Sequence, residues 1–528
     1  MFSKKQVLAM ICFCMMAHGQ LLAKTKVNIS SGSLVGTNAG SNKIVSFKGI
    51  PFAAPPIKDL RWKTPQPVVP WKETKQATEF GPQCMQNLIY DDMKFRSAGM
   101  SEDCLYLNVW APSNIQGKKH PVLLYFYGGG FVAGDGSERR YDGASMAQQD
   151  IVVITANYRL GLFGLMAHPL LSAETLYQGS GNYTFLDQVA ALKWVVKNIT
   201  AFGGDPSRIT IAGESAGSVS VSALMASPLS RDLIAGAIGE SGSILGPPLM
   251  AVPLVVAQQK GEDLVTAIAG DTANLRDLRK IPAAQLLSLA NDAGFTWFSP
   301  TVDGYFLPLS PQKLYANKQF SQVPLLAGVN SQEGSYESIL AQNKPTVANY
   351  KEALQQLYPH DYEQVFNLYP ATNIEQVMDA AQDLASDRFI SFGTYHWMNT
   401  VTQSSGKLGF YYSYQHVRPA NVEKKAPEAP PRGATHSAEI EYVLGNLDVN
   451  KLYRWQEEDY KVSRLTQQYF ANFIKFGDPN GENLATWPSF AENKLMTLSL
   501  RPKAQIIDKL KKRYAFHQNG LLNENKDR

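Results

Sequence analysis

The sequence predicts an α/β protein with a mostly parallel central sheet and helices on both faces. Three observations carry that expectation. Short apolar runs rich in β-branched residues alternate with helix-like segments through most of the chain. One such run ends in a Gly-x-Ser-x-Gly turn that leads into a helix-compatible stretch, and another ends in three consecutive glycines.

The buried-strand candidates are residues 121–127, 150–157, 208–212 and 325–329, followed by 409–415 and 495–500. Most stop at Gly, Asn or Ser, which punctuate strands. Helices are expected over 187–197, after Asn182 and Thr184, over 219–225, and over 460–476, where apolar positions recur at intervals of three and four. Residues 417–435 carry several prolines and mixed charge and read as a loop that delivers the chain to His436. No fixed-period repeat or linker divides the chain, so residues 24–528 are expected to form one domain.

Lys plus Arg number 50 against 46 Asp plus Glu, a net charge of +4. That balance, without a basic stripe, gives no footprint for nucleic acid. At the N-terminus Lys4 and Lys5 precede an apolar run from Val7 to Ala17, with small residues at Ala17, Gly19 and Ala23. Residues 1–23 therefore read as a cleaved signal peptide, and the product as secreted or periplasmic. The run falls short of the roughly 20 residues a membrane span needs, so no stable membrane anchor is expected. Removing it leaves Cys84 and Cys104. An even pair in an exported chain suggests a disulfide, worth roughly 3 kcal/mol in the chain-entropy model.

Gly213-Glu214-Ser215-Ala216-Gly217 lies between the strand 208–212 and the helix 219–225. A strained strand-to-helix turn of this kind lifts a serine hydroxyl above the sheet, and the helix N-terminus favours negative charge there. Ser215 is the candidate nucleophile. Gly128-Gly129-Gly130 follows the strand 121–127. Gly129 and Gly130, with Ala216, are candidate backbone donors to a developing oxyanion. The same glycines match a dinucleotide fingerprint, but Asp135, Gly136 and Ser137 oppose the helix that such a site requires.

A serine nucleophile needs a histidine base, and the histidine a carboxylate to orient it, in the order Ser, acid, His along this architecture. His436, in a loop of small polar residues, is favoured over His416. Glu333, just beyond the strand 325–329, leads Asp303 and Glu337.

The sequence resembles the type-B carboxylesterase family, which includes the cholinesterases and bacterial para-nitrobenzyl esterase-like enzymes. Phe202-Gly203-Gly204-Asp205-Pro206 with Ile209 to Gly217 resembles the family's nucleophile signature. Ser101-Glu102-Asp103-Cys104-Leu105-Tyr106-Leu107-Asn108-Val109-Trp110 resembles its second signature, and Phe47 to Pro51 and Asn157 to Gly161 resemble further blocks. The resemblance implies an α/β-hydrolase fold and a catalytic triad of Ser215, Glu333 and His436. It also implies an oxyanion hole from Gly129, Gly130 and Ala216, a Cys84–Cys104 disulfide, and ion pairs Arg61–Glu102 and Arg159–Asp187. Glu214, Phe131 and Tyr336 are expected in the pocket, with Trp297 and Phe298 nearby. The implied reaction is hydrolysis of small-to-medium carboxylic esters without metal or cofactor. The loop 85–103 lacks the tryptophan with which cholinesterases hold a quaternary ammonium; Tyr90 and Phe95 are its only aromatics. That departure favours a general carboxylesterase. A non-catalytic adhesion protein on the same fold and an interfacial lipase are the alternatives.

Overall fold

The computed structural model describes residues 25–524 apart from 40, 115–116, 271–273 and 424–430. The expected signal peptide, residues 1–23, lies outside the described residues. Among them no helix is long and apolar enough to cross a membrane.

Strands β1 (Thr25–Ile29), β2 (Gly32–Ala39) and β3 (Ser41–Pro51) form an antiparallel ribbon. The sheet continues through β4 (Tyr106–Pro112), β5 (His120–Phe126), β6 (Val152–Ala156) and β7 (Gly204–Glu214). It is completed by β8 (Gly236–Glu240), β9 (Leu325–Asn330), β10 (Gly409–Tyr414), β11 (Lys494–Leu498) and β12 (Lys503–Ile506). The spatial order is β1-β2-β3-β4-β6-β5-β7-β8-β9-β10-β11-β12. Every pairing from β6 to β11 is parallel. The flanking pairs β3–β4, β4–β6 and β11–β12 are antiparallel. This is the α/β-hydrolase type of sheet, and β5 and β9 are buried at every position, as covered parallel strands must be.

Each expected strand is present within a few residues of its expected bounds. The expected strand 495–500 stops at Leu498 because the chain turns there into β12. Strand β8, Gly-Ala-Ile-Gly-Glu, was not expected; its small residues carry almost no strand signal.

Six helices matter for the site: α1 (Tyr183–Asn198), α2 (Ala216–Ala226), α3 (Ile374–Ser386), α4 (Phe392–Ser405), α5 (Glu457–Phe476) and α6 (Asp508–Glu524). Helix α5 starts before the expected residue 460 because Gln456 and Asp459 form a reciprocal capping box. All of α2 is buried against the sheet. A second apolar cluster, centred on Tyr350, Leu354, Val365, Val377 and Leu384, lies apart from the main core.

Cys84 and Cys104 are disulfide-bonded. Both expected ion pairs are present: Arg61 Nε lies 2.6 Å from Glu102 Oε1 in a part-buried pair, and Arg159 Nη2 lies 2.7 Å from Asp187 Oδ1 in a buried one. Arg61 Nη1 also donates to the carbonyls of Leu278 and Ile281, so its guanidinium ties the base of the disulfide loop to a distant helix. Removing one partner of the buried pair costs roughly 3–5 kcal/mol, because the other charge is left buried.

Candidate active site

Ser215 stands between β7 and α2 with φ 55° and ψ −120°. A non-glycine residue at positive φ costs about 1–3 kcal/mol and persists only where the surroundings hold it. Here the Ser215 N–H donates to Glu240 O on β8 at 2.8 Å, and its carbonyl accepts the Val219 N–H at 2.9 Å. Close approach explains the turn's last glycine: a Cβ on Gly217 would stand 2.1 Å from the Phe126 carbonyl oxygen on β5.

The glycine run leaves the end of β5 beside this turn. Gly129 has φ 106° and Gly130 φ 64°. The Gly129 carbonyl accepts the N–H groups of Val132 and Ala133 at 3.1 Å, which closes a tight turn. Among the described residues the N–H groups of Gly129 and Gly130 donate to no backbone acceptor. Ala216 opens α2, so its N–H has no intrahelical acceptor. No helix opens at the glycines. Asp135 turns inward to accept the Ser137 N–H at 2.8 Å, and the dinucleotide geometry does not form.

The candidate acid and base come from loops after β9 and β10. Glu333 Oε1 accepts the Asn330 N–H at 2.6 Å and the Ser241 hydroxyl at 2.5 Å. Its Oε2 lies 2.6 Å from His436 Nδ1. The two loops are stitched together: Gln332 N–H donates to Ala434 O at 2.8 Å, and Asn330 Nδ2 to Thr435 O at 2.8 Å. The competing candidates are engaged elsewhere. His416 Nε2 pairs with Asp459 at 2.7 Å, Asp303 accepts the N–H groups of Tyr305 and Leu307, and Glu337 is exposed on a short helix.

Ser215, His436, Gly129, Gly130 and Glu214 all line one cavity of about 520 Å³. Its lining mixes polar residues, Tyr90, Asp92, Arg140 and Tyr141, with apolar ones, Pro248, Leu249, Trp297, Phe389 and Ile390. Trp297 is the tryptophan among these lining residues. Phe131 and Tyr336 are not among the lining residues. Phe131 points into the core, with its ring 5.3 Å from that of Phe185, and Tyr336 packs on the second apolar cluster. Phe298 is buried, with the Lys260 ammonium 5.4 Å from its ring centroid, and is not among the lining residues.

The sequence model of the Carboxylesterase family matches residues 23–517. The chain belongs to the carboxylesterase family. Carboxylesterase 5A of Homo sapiens is 35% identical over 479 residues, covering 84% of this chain and 79% of that protein. Fumonisin B1 esterase of Sphingopyxis macrogoltabida is 33% identical over 464 residues, 85% of this chain and 82% of its own. Cocaine esterase of Oryctolagus cuniculus is 33% identical over 499 residues, 89% and 90% of the two chains. Family membership makes the protein a carboxylic-ester hydrolase.

This carboxylesterase carries more buried acid around its candidate site than sequence reasoning reached. Glu214 Oε1 lies 3.2 Å from His436 Nε2, while Glu439 Oε2 accepts from Asn330 Nδ2 at 2.6 Å and Glu240 Oε1 from the Tyr125 hydroxyl at 3.1 Å. Burial pushes the Glu214 carboxyl up, opposed by His436 and reinforced by Glu439 and Glu333. Burial likewise raises Glu240 and Glu439. For His436 burial disfavours the charged ring, but Glu214 and Glu333 outweigh it and lift the imidazole above its ordinary value. Ser241, Glu240 and Glu439 were missed because nothing local marks them. Only the register of β8 against β7 and β9 brings the first two to the site.

Proposed function

We propose that the enzyme hydrolyses carboxylic esters through a covalent acyl intermediate on Ser215, with His436 as base and Glu333 as the orienting acid. The observation that carries the reading is the pairing of Glu333 Oε2 with His436 Nδ1 at 2.6 Å in the wall of the cavity that Ser215 also lines. Glu333 fixes the tautomer whose Nε2, 3.2 Å from Glu214 Oε1, carries no proton and accepts that of the serine. Ser215 Oγ then bonds to the ester carbon while its proton passes to His436 Nε2. The charge that develops on the carbonyl oxygen falls to the N–H groups of Gly129, Gly130 and Ala216. Collapse breaks the ester C–O bond, and the alcohol leaves with the proton from His436. Water repeats the sequence on the acyl-serine and releases the acid.

The cavity's size and its apolar lining residues suit small-to-medium esters of varied shape, and the relatives named for cocaine and fumonisin B1 accord with a broad family range. The N-terminal sequence places the enzyme outside the cytoplasm in this reading. The test is hydrolysis of para-nitrophenyl acetate and butyrate by wild type and Ser215→Ala, each checked for folding by circular dichroism. The variant is expected to lose essentially all turnover, and equal rates would sink the assignment.

A further inference from the structure

One segment outside the catalytic loops touches both of them. The π-helical turn Asp387–Ser391 joins α3 to α4. Immediately before it, Ser386 Oγ accepts the N–H of Gly334, the residue after Glu333, at 3.0 Å. Within it, the ring of Phe389 stands edge-on to His436, 5.3 Å between centroids at 75°, and both Phe389 and Ile390 line the cavity. A π turn inserts an extra residue into a helix, an arrangement frequent at functional sites.

The same turn is clamped by the C-terminal helix. Arg513 of α6 donates Nε and Nη2 to Asp387 Oδ2 at 2.7 and 2.5 Å, and Nη1 to Asp383 Oδ2 at 2.7 Å. The Tyr369 hydroxyl donates to the same Asp387 oxygen at 2.7 Å, and His517 Nε2 lies 2.8 Å from that hydroxyl. Asp387 is 2% exposed. A contact chain therefore runs from α6 through Asp387 and the π turn to the base on one side and to the acid loop on the other.

We propose that Arg513 is a positioning residue for ester hydrolysis: through Asp387 it holds the π turn in place, so that Phe389 fixes the ring of His436. The proposal rests on the reading of His436 as the base. Without Arg513 the buried Asp387 carboxylate keeps the Tyr369 hydroxyl but loses its cationic partner, and the turn shifts. A displacement of about 1 Å at a catalytic group is enough to cost on the order of 100-fold in rate.

The test compares Arg513→Gln, Phe389→Leu and the double variant with wild type on para-nitrophenyl butyrate. Rates are expressed per site titrated with diethyl para-nitrophenyl phosphate, so that unfolded protein does not count. The Arg513→Gln rate per titrated site is expected to fall on the order of tenfold with KM little changed. The double variant is expected to be no slower than the slower single, because both changes act on one contact. Should Arg513→Gln yield no titratable sites, Arg513→Lys replaces it, with a smaller loss that again vanishes in the Phe389→Leu background. An unchanged rate per site, or losses that multiply in the double variant, would overturn the positioning role while leaving the triad intact. Full turnover by Ser215→Ala would instead overturn the triad reading, and this proposal with it.

Discussion

The two halves of the candidate site are built by different means. The nucleophile side is a wall of glycine and backbone. Ser215 is pinned between β8 and α2, Gly217 is pressed against Phe126, and Gly129 and Gly130 turn at positive φ. The acid–base side is a set of loops after β9 and β10, held by side-chain hydrogen bonds to Glu333 and Asn330. On the first side position comes from close packing that tolerates no added atom. On the second it comes from polar partners that can be removed singly. An atom added to the first should therefore appear as lost folding, and a partner removed from the second as lost chemistry in a folded protein.

Two substitutions break that comparison if it is wrong. His436→Ala removes the proposed base, a side chain that is 27% exposed, and leaves no large cavity in the core. Turnover is expected to fall by about 10⁴-fold or more in a protein that still folds, its melting temperature lowered by the loss of the ring that partners the buried Glu333, as judged by steady-state kinetics beside thermal unfolding. Gly217→Ala is expected to do the opposite. The added Cβ meets backbone rather than a flexible side chain, so the elbow must open or the fold give way. The expected loss is roughly 4 kcal/mol or more of stability, read by denaturant unfolding. A well-folded Gly217→Ala variant of normal midpoint would remove the packing account of the elbow.

This contrast also explains how much of the molecule could be read in advance. The nucleophile side was legible because its information is local. A strand, five residues of turn and a helix are contiguous, and the glycines are there because nothing larger fits. The strands β5, β7, β9 and β10 were legible from their apolar runs for the same reason, and β8 was not. Ser241, Glu240 and Glu439 were not, because their roles depend on which strands are neighbours. Glu240 meets the site only once β8 pairs with β7 in a register that sets it beside Glu214. Proximity in sequence misled for Phe131 and Tyr336, which adjoin Gly130 and the Glu333 loop. The positive φ of Phe131 sends its ring into the core, and the short helix after Tyr336 turns that residue toward the second cluster. His436 and Glu333 stood among open alternatives until family resemblance singled them out, since a loop histidine or glutamate carries no periodicity of its own.

A milder change sharpens the acid–base side. Ser241→Ala deletes one of two donors to Glu333 Oε1 and keeps the Asn330 N–H. Losing a hydrogen bond to a buried charged group is worth about 1–3 kcal/mol. In the proposed mechanism Glu333 orients His436, so kcat/KM is expected to drop about tenfold while the fold persists. An unchanged kcat/KM would show that Asn330 and His436 suffice to place the carboxylate.

The smallest expected effect concerns Glu240, which lies where the two halves meet. Burial foremost, and then Glu439 and Glu214, raises its carboxyl well above the ordinary range. The folded protein therefore keeps a proton that the unfolded chain releases above about pH 4.5. Where the folded state binds more protons, stability falls as pH rises, by at most about 1.4 kcal/mol per pH unit for one group. That contribution is fully present below the unfolded value and declines toward the raised one, opposite in sign to a salt-bridged surface acid. Glu240→Gln cannot titrate, yet it keeps an oxygen to accept the Tyr125 hydroxyl. The variant is expected to melt at nearly the wild-type temperature at about pH 5.5 and a few degrees above it at about pH 8, by differential scanning calorimetry. A gap between the two conditions as wide in Glu240→Gln as in wild type would mean that Glu240 titrates normally. The buried acids would then be held by water or by each other's protons, and the polar joint between the two halves would be wetter than its packing suggests.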